Sequence, residues 1–233
     1  MAYVTILTVN YNTHRFIELC LKSIYKNTTL PFRLIVVDNG STDGSLDYLQ
    51  RVRQAEQAIV LTRRTSLSAS EHGRALDFVL YRTGYVKTPL VCTIDSDAFA
   101  AKKGWLKELD KQRNGHFAVG YEHFRDPRCL HPACMLFDYK KLRGLGDPSF
   151  ALVKKGGRFF DTGIAVSESA LAKGYRLVGA RGLEQLVPHR WCATRIQKVS
   201  GDQKLDNRVT RSEFTQQNDR WFTRPDVQAI FQK

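Results

Sequence analysis

Arg33-Leu34-Ile35-Val36-Val37-Asp38-Asn39-Gly40-Ser41-Thr42-Asp43-Gly44 (33–44) reads as a strand that runs straight into a turn. Four apolar side chains in a row, Ile35, Val36 and Val37 among them β-branched, predict a strand buried on both faces. Such strands belong to parallel sheets covered by helices on each side. Asn39-Gly40 turns the chain, and Ser41 or Thr42 caps a helix running to about Glu56.

The same alternation extends in both directions. Upstream, Val4–Asn10 is a β-rich run, Thr13 an N-cap, and Ile17, Cys20, Leu21 and Ile24 recur at helical spacing. Downstream come a short strand at Ala58–Leu61, a helix at His72–Arg82 with Ala75, Leu76 and Val79 on one face, a strand at Pro89–Ile94 and a helix at Lys102–Arg113. Strict strand–helix alternation predicts an α/β fold with a Rossmann-like, mostly parallel central sheet flanked by helices. After residue 115 the pattern loosens into a smaller mixed region. Phe117–Tyr121 and Ala133–Phe137 read as strands, the stretch up to Phe160 as loop-rich, Ser167–Lys173 as a helix and Gly182–His189 as a strand or extended segment. The polar tail from Ser200 holds a helix at Glu213–Phe222 and a turn or helix starting at Pro225.

With 42% hydrophobic and 25% charged residues over 233 positions, the chain has ordinary globular composition, which excludes disorder, collagen and coiled coil as the main architecture. Its five cysteines are too few and too scattered for a disulfide framework, and the odd count points to reduced thiols and a cytoplasmic setting. The N-terminal MAYVTILTVNYN lacks the features of a signal peptide, and no apolar run reaches the ~20 residues that cross a bilayer. Charge is uneven. Residues 1–100 carry 11 basic and 9 acidic side chains, net +2, whereas residues 101–233 carry 25 and 14, net +11. A basic second half suits an acidic partner such as phosphate, anionic lipid or acidic glycan, or simply keeps the protein soluble.

Ligands bind open parallel sheets beyond the carboxyl ends of the strands. Three polar clusters end predicted strands: Asn10-Tyr11-Asn12, Asp38 to Gly44, and Asp95-Ser96-Asp97. A parallel sheet places all three along one edge. Asp38, at the rim of the core, can accept from a nucleobase N–H or a ribose hydroxyl, or can merely begin the turn. Asp43 suits a first-turn helix acid. Asp95 and Asp97, beyond Leu90-Val91-Cys92-Thr93-Ile94, form an electronegative nook that is costly unless a cation or sugar hydroxyls satisfy it. Oxygen ligands of this kind suit Mg²⁺ or Mn²⁺, which can bridge a diphosphate and stabilise it as a leaving group.

The sequence resembles the family 2 glycosyltransferases, which have the GT-A fold, through VTILTVNYN (4–12), LIVVDNGSTDGS (34–45), HGRALD (72–77), VCTIDSDAF (91–99) and GWL (104–106). HPACMLF (131–137), FFDTG (159–163) and HRWCATR (189–195) fit the acceptor-side pattern more loosely, and residues 196–233 have no counterpart. The resemblance implies one glycosyltransferase domain over residues 1–199, with a nucleotide-sugar half at 1–113 and an acceptor half at 114–199, followed by a basic tail or helical extension. It implies transfer of a sugar from a nucleoside diphosphate sugar to an acceptor hydroxyl, with inversion, in glycan or glycolipid synthesis. A UDP-sugar is the favoured donor, with GDP or dTDP as alternatives. The acceptor is then a glycan or a lipid-linked molecule, an anionic one included. Contact with the inner membrane face and a homodimer, through the unplaced tail, are further options.

By position, Val9 and Tyr11 would flank the base, and Asp38 would contact base and ribose. His72 or Arg74 would lie near the donor's sugar or phosphates, Asp95 and Ser96 would meet the ribose or donor sugar, and Asp97 would be the main metal ligand. His189 would close the metal or diphosphate site. Asp161 falls where relatives place a general base, often an acidic pair that this chain lacks; Glu122 and Glu168 are the alternatives. Each has an ordinary alternative: a helix cap or turn for Asp161, a first-turn helix residue for His72, a solvated one for Arg74, loop-satisfying amides for Asn10 and Asn12. Trp105 reads as core rather than as a stacking platform.

Three rival readings compete with this one. Cys129, His131, Cys134, His189 and Cys192 offer five zinc-ligand types, but at irregular spacing. A phosphatase using its first Asp as nucleophile wants the pair after the first strand. A non-enzymatic binder of nucleic acid or acidic polymer has no recognisable module here and leaves Asp95 and Asp97 unexplained.

Overall fold

The computed structural model describes residues 3–63, 71–123, 129–189 and 219–232. The first half alternates as its hydrophobic pattern dictates: β1 (Val4–Asn10), α1 (His14–Asn27), β2 (Phe32–Asp38), α2 (Ser45–Gln54), β3 (Ile59–Thr62), α3 (Glu71–Asp77), β4 (Leu90–Ile94) and α4 (Trp105–Arg113). The second half adds β5 (Ala118–His123), β6 (Cys129–Asp138), α5 (Tyr139–Arg143), β7 (Val153–Lys155), β8 (Arg158–Phe160), α6 (Ile164–Ala172), β9 (Leu177–Gly179), α7 (Leu183–Leu186) and α8 (Pro225–Phe231).

The sheet has seven strands in the order β3-β2-β1-β4-β6-β5-β9. β3, β2, β1 and β4 are parallel, β6 runs antiparallel to both β4 and β5, and β5 is parallel to β9. Because side chains alternate along a strand, neighbours serve opposite layers. Ile6, Val36, Cys92 and Ile94 pack with α1, α2 and α4 side chains such as Ile17, Leu49 and Trp105. Leu7, Ile35, Val37 and Val91 pack with Ala75 and Val79 of the α3 segment and Val166 of α6. Trp105 is fully buried in the first of these layers.

Several predicted elements shift. α2 begins at Ser45, behind Gly44, because Ser41 is spent elsewhere: its hydroxyl donates to Asp38 Oδ2 at 2.7 Å. Asp43 does the capping work instead, accepting from Ser45 N–H at 3.0 Å and from His14 N–H at 2.9 Å. The predicted helix 72–82 is α-helical only to Asp77 and continues as a π-helical turn over Phe78–Arg82. The segment 182–189 forms the short helix α7 before it becomes extended. The β7–β8 hairpin and α5 occupy part of the stretch read as loop-rich, and the three-residue β9 lies in a stretch to which no element was assigned.

Much of the predicted helix at 213–222 lies outside the described residues, whereas a helix does begin at Pro225. The described end of the chain folds back on α1. Phe222 meets Phe16 with ring centroids 4.9 Å apart, Val227 and Ile230 join Leu19 and Phe99 in a third apolar cluster, and Lys26 Nζ donates to Ala229 O at 2.6 Å.

A close backbone contact links α3 to the loop before β7. A Cβ on Gly73 in α3 would lie 2.3 Å from Phe150 O and 2.4 Å from Ala151 Cα. Asp77, also in α3, accepts from Phe150 N–H at 2.8 Å and from Ser149 Oγ at 2.5 Å. Helix propensity alone would make Gly73→Ala stabilising by up to ~1 kcal/mol. The close backbone approach predicts the reverse, a loss of about 1–3 kcal/mol from overpacking. Urea unfolding decides: a rise in midpoint would contradict the contact.

Candidate active site

β1, β2 and β4 all end at one edge of the sheet, and their last residues are joined by a buried hydrogen-bond network. Asp38 is wholly buried. Its Oδ1 accepts from Gly40 N–H at 3.0 Å and Ser41 N–H at 2.8 Å, and its Oδ2 accepts from Asn10 Nδ2 at 2.8 Å and Ser41 Oγ. Four hydrogen bonds of this kind offset the desolvation of a carboxylate. Asn10 passes the connection on: its Oδ1 accepts from Thr13 Oγ1 at 2.6 Å, and Thr13 Oγ1 lies 3.0 Å from Ser96 Oγ. Thr13 thus marks the start of α1 while its hydroxyl serves Asn10 rather than the helix. The loops after β1 and β2 are sewn together further out, where Asn12 Oδ1 accepts from Thr42 N–H at 2.7 Å.

Asp95 and Asp97 follow β4 in a turn closed by Ala98 N–H donating to Asp95 O at 3.0 Å. Both side chains are largely buried, 17% and 4% exposed. His189 reaches them from the end of the described stretch 129–189. The extended segment after α7 is stapled beside the turn by Phe99 N–H to Pro188 O (3.2 Å), Ala101 N–H to Leu186 O (2.8 Å) and a bridge between Ala98 and His189. The Tyr121 hydroxyl donates to Val187 O. His189 Nε2 thereby sits 2.9 Å from Asp97 Oδ1 and 3.3 Å from Asp95 Oδ2, with its side chain only 3% exposed. His72, in the first turn of α3, places Nε2 3.0 Å from Asp95 Oδ1.

The charges answer one another. Burial alone would push the His189 ring down, but the Asp97 and Asp95 carboxylates outweigh it and raise the ring to about 10. Burial pushes Asp95 up, yet His72 and His189 overcome it and hold this carboxyl well below the usual carboxylate range. One potential ligand atom from each of Asp95, Asp97 and His189 lies within 4.8 Å of the others, the metal-type cluster found among the described residues.

The remaining candidates fall elsewhere. Val9 is buried in the core layer beneath α3, and Tyr11 is half-buried in the turn after β1. Arg74 is 56% exposed and its Nη1 lies 2.9 Å from Glu71 Oε1. Asp161, 44% exposed, precedes α6 and lies against His131, with Oδ1 to Nε2 at 3.8 Å. Glu168 is paired with Lys155, and Glu122 lies on β5 against Gly179. The zinc constellation does not assemble among the described residues: Cys129 and Cys134 are buried free thiols, and Cys192 lies outside them. The network Asn10–Thr13–Ser96 escaped the sequence reading, since Asn and Thr at strand ends usually serve loop backbone.

The model of glycosyl transferase family 2 matches residues 5–125, more than half of the chain. The chain belongs to this family. No curated protein sequence matches it. Among solved structures, the chain is similar to the mannosyltransferase PcManGT from Pyrobaculum calidifontis, in complex with GDP-Man and Mn²⁺, at 20% identity and a TM-score of 0.57, over 77% of this chain and 55% of that one. It is similar to S. aureus TarS at 16% identity and a TM-score of 0.57, over 77% of this chain and 35% of TarS. TarS 1–349 in complex with UDP-GlcNAc matches at 16% identity and a TM-score of 0.52, over 77% and 59%. The chain thus spans about half the length of the mannosyltransferase and about a third of TarS. The shared architecture is the GT-A fold.

The electrostatics of family 2's buried cluster in this chain have a measurable signature. With its ring raised from 6.5 to about 10, folded His189 holds a proton that the unfolded chain gives up. The stabilisation is complete below pH 6.5 and lost as pH rises towards 10, with a slope of about 1.4 kcal/mol per pH unit between. Urea unfolding in chelator should show this decline in the wild type, and His189→Gln should flatten it. Parallel profiles for the two proteins would contradict the assignment.

Proposed function

We propose that the chain is a metal-dependent, inverting glycosyltransferase that moves a sugar from a nucleoside diphosphate sugar to an acceptor hydroxyl. The observation that carries this reading is the Asp95–Asp97–His189 cluster, held at the carboxyl end of β4 where parallel sheets bind ligands. Two carboxylate oxygens and an imidazole nitrogen fit a divalent transition ion better than Mg²⁺, which prefers oxygen alone, so Mn²⁺ is the favoured ion. When bound, that ion supplies positive charge against the departing diphosphate. For His189 to act as a ligand, its Nε2 must give up the proton it shares with the carboxylates.

The chain's own residues do the rest. Ser96 and the loops after β1 and β2 form the donor edge, and Asp38 shapes that edge by holding Gly40 and Ser41 in place. His72 orients Asp95 and borders the phosphates. Asp161 accepts the proton of the acceptor hydroxyl as its oxygen bonds to the anomeric carbon. The bond from that carbon to the diphosphate breaks on the opposite face, and its electron pair leaves with the nucleoside diphosphate. Residues 1–113 form the donor half and 114–199 the acceptor half. The mannosyltransferase and TarS complexes support GDP- and UDP-sugars as the first donors to test. The net charge of +11 over residues 101–233 supports an anionic acceptor.

Asp97→Asn should abolish Mn²⁺-dependent binding of nucleoside diphosphate in calorimetry while leaving the unfolding transition cooperative; wild-type affinity would refute the ligand role. Asp161→Asn should leave that binding within about twofold and cut turnover by about 10²–10⁴-fold, the range of a general base. Undiminished kcat would exclude Asp161.

A further inference from the structure

His131 lies beside Asp161 in a setting that predetermines which of its nitrogens carries the proton. Its side chain is 12% exposed. Nδ1 accepts from Ala133 N–H at 3.0 Å, so a neutral ring must carry its proton on Nε2. Nε2 faces Thr162 Oγ1 at 3.3 Å and Asp161 Oδ1 at 3.8 Å. Thr162 completes the cluster from the other side: its N–H donates to Asp161 Oδ1 at 2.8 Å, and its hydroxyl lies 3.4 Å from the same oxygen.

The backbone holds this group rigidly. Gly163, at φ +86°, lies so close to β6 that a Cβ there would come within 2.8 Å of Leu130 O and 3.2 Å of Pro132 Cδ. Ser167 Oγ, one turn into α6, accepts from Leu130 N–H at 3.1 Å. The start of α6 is therefore pressed onto the part of β6 that carries His131. The same strand borders the carboxylate cluster, because Asp95 N–H donates to Ala133 O at 3.0 Å, two residues and about 7 Å of strand beyond His131.

We infer that His131 is a positioning residue for Asp161: its Nε2–H donates to Thr162 Oγ1, whose hydroxyl turns to Asp161 Oδ1 and orients the carboxylate towards the acceptor hydroxyl. The inference rests on reading Asp161 as the base. Asp161 sits in a turn and is 44% exposed, so the few groups that touch its carboxylate set its rotamer. A neutral Nε2–H tautomer donates without competing for the proton that Asp161 must take. In the same way a histidine bound to a metal is held by a partner on its other nitrogen.

The test has two arms on the full chain. In ¹⁵N-histidine NMR, with His131→Gln used to assign the ring, the neutral His131 ring should appear as the Nε2–H tautomer, and Asp161→Asn should move its Nε2 resonance. An Nδ1–H tautomer, or an Nε2 resonance unmoved by Asp161→Asn, overturns the inference. In turnover, release of nucleoside diphosphate from GDP-mannose and UDP-GlcNAc is followed with Mn²⁺. His131→Ala should lower kcat at least about tenfold, part of the 10²–10⁴ of a general base, with KM for the donor unchanged. His131→Gln, whose amide nitrogen can take the place of Nε2, should restore most of the rate, whereas His131→Asn should not. Equal losses in Gln and Ala contradict orientation by Nε2–H. If instead Asp161→Asn keeps full turnover, the base reading fails, and the NMR arm still decides whether the two side chains interact.

Discussion

A pair of carboxylates at the end of a buried strand is the costly feature around which the site is organised. Asp95 and Asp97 are removed from water and stand close enough for one imidazole nitrogen to reach both. Two such groups repel, and each loses solvation worth several kcal/mol, so neither is stable without positive charge nearby. His189 meets that need, and His72 adds a hydrogen bond to Asp95. The structure spends much of its second half delivering His189: α7, the extended segment to 189, the staple to residues 98–101 and the Tyr121 hydroxyl all serve to bring one ring back across the sheet. A proton on His189 and the proposed divalent ion would satisfy the same electrostatic demand.

The supporting frame follows from parallel topology. Only strands running the same way put Asn10, Asp38 and Asp95 on one edge, and only a buried network can hold three such ends in fixed relation. Asp38 anchors that network rather than projecting from it. On the other side, Phe150 lies between the halves: Asp77 fixes its N–H, Gly73 makes room for its carbonyl, and Gly163 N–H donates to the same carbonyl at 3.3 Å. HGRALD and FFDTG, whose glycines Gly73 and Gly163 are 90 residues apart in sequence, thus meet at the carbonyl of Phe150.

Much of this is written plainly in the sequence, and the reason is periodicity. Uninterrupted runs such as Leu34–Val37 and Leu90–Ile94 have few alternatives to a doubly covered parallel strand, so β1 to β4 and the acidic ends of two of them were legible. β9 was not, because three residues, Leu177–Gly179, carry too short a pattern and pair only through an edge contact with β5. Leu183–Leu186 looked extended because a single helical turn leaves no repeat to detect. Ser41 looked like a helix cap, and only the three-dimensional proximity of Asp38 diverts it. Asp95 and Asp97 announced themselves by spacing, whereas Asp161 could be singled out only through likeness to family 2, and His189 only through that likeness or as a metal-ligand type. His131 was visible as a metal-ligand type and nothing more, since its relation to Asp161 depends on how closely glycine lets α6 approach β6.

The most direct measurement is anomalous diffraction at the manganese edge from crystals grown with Mn²⁺ and UDP or GDP. The account predicts one strong peak in contact with Asp97 and His189 and next to the diphosphate, at the carboxyl end of β4. Nucleotide bound at that edge with no manganese against Asp97, or manganese bound away from the three side chains, would contradict it.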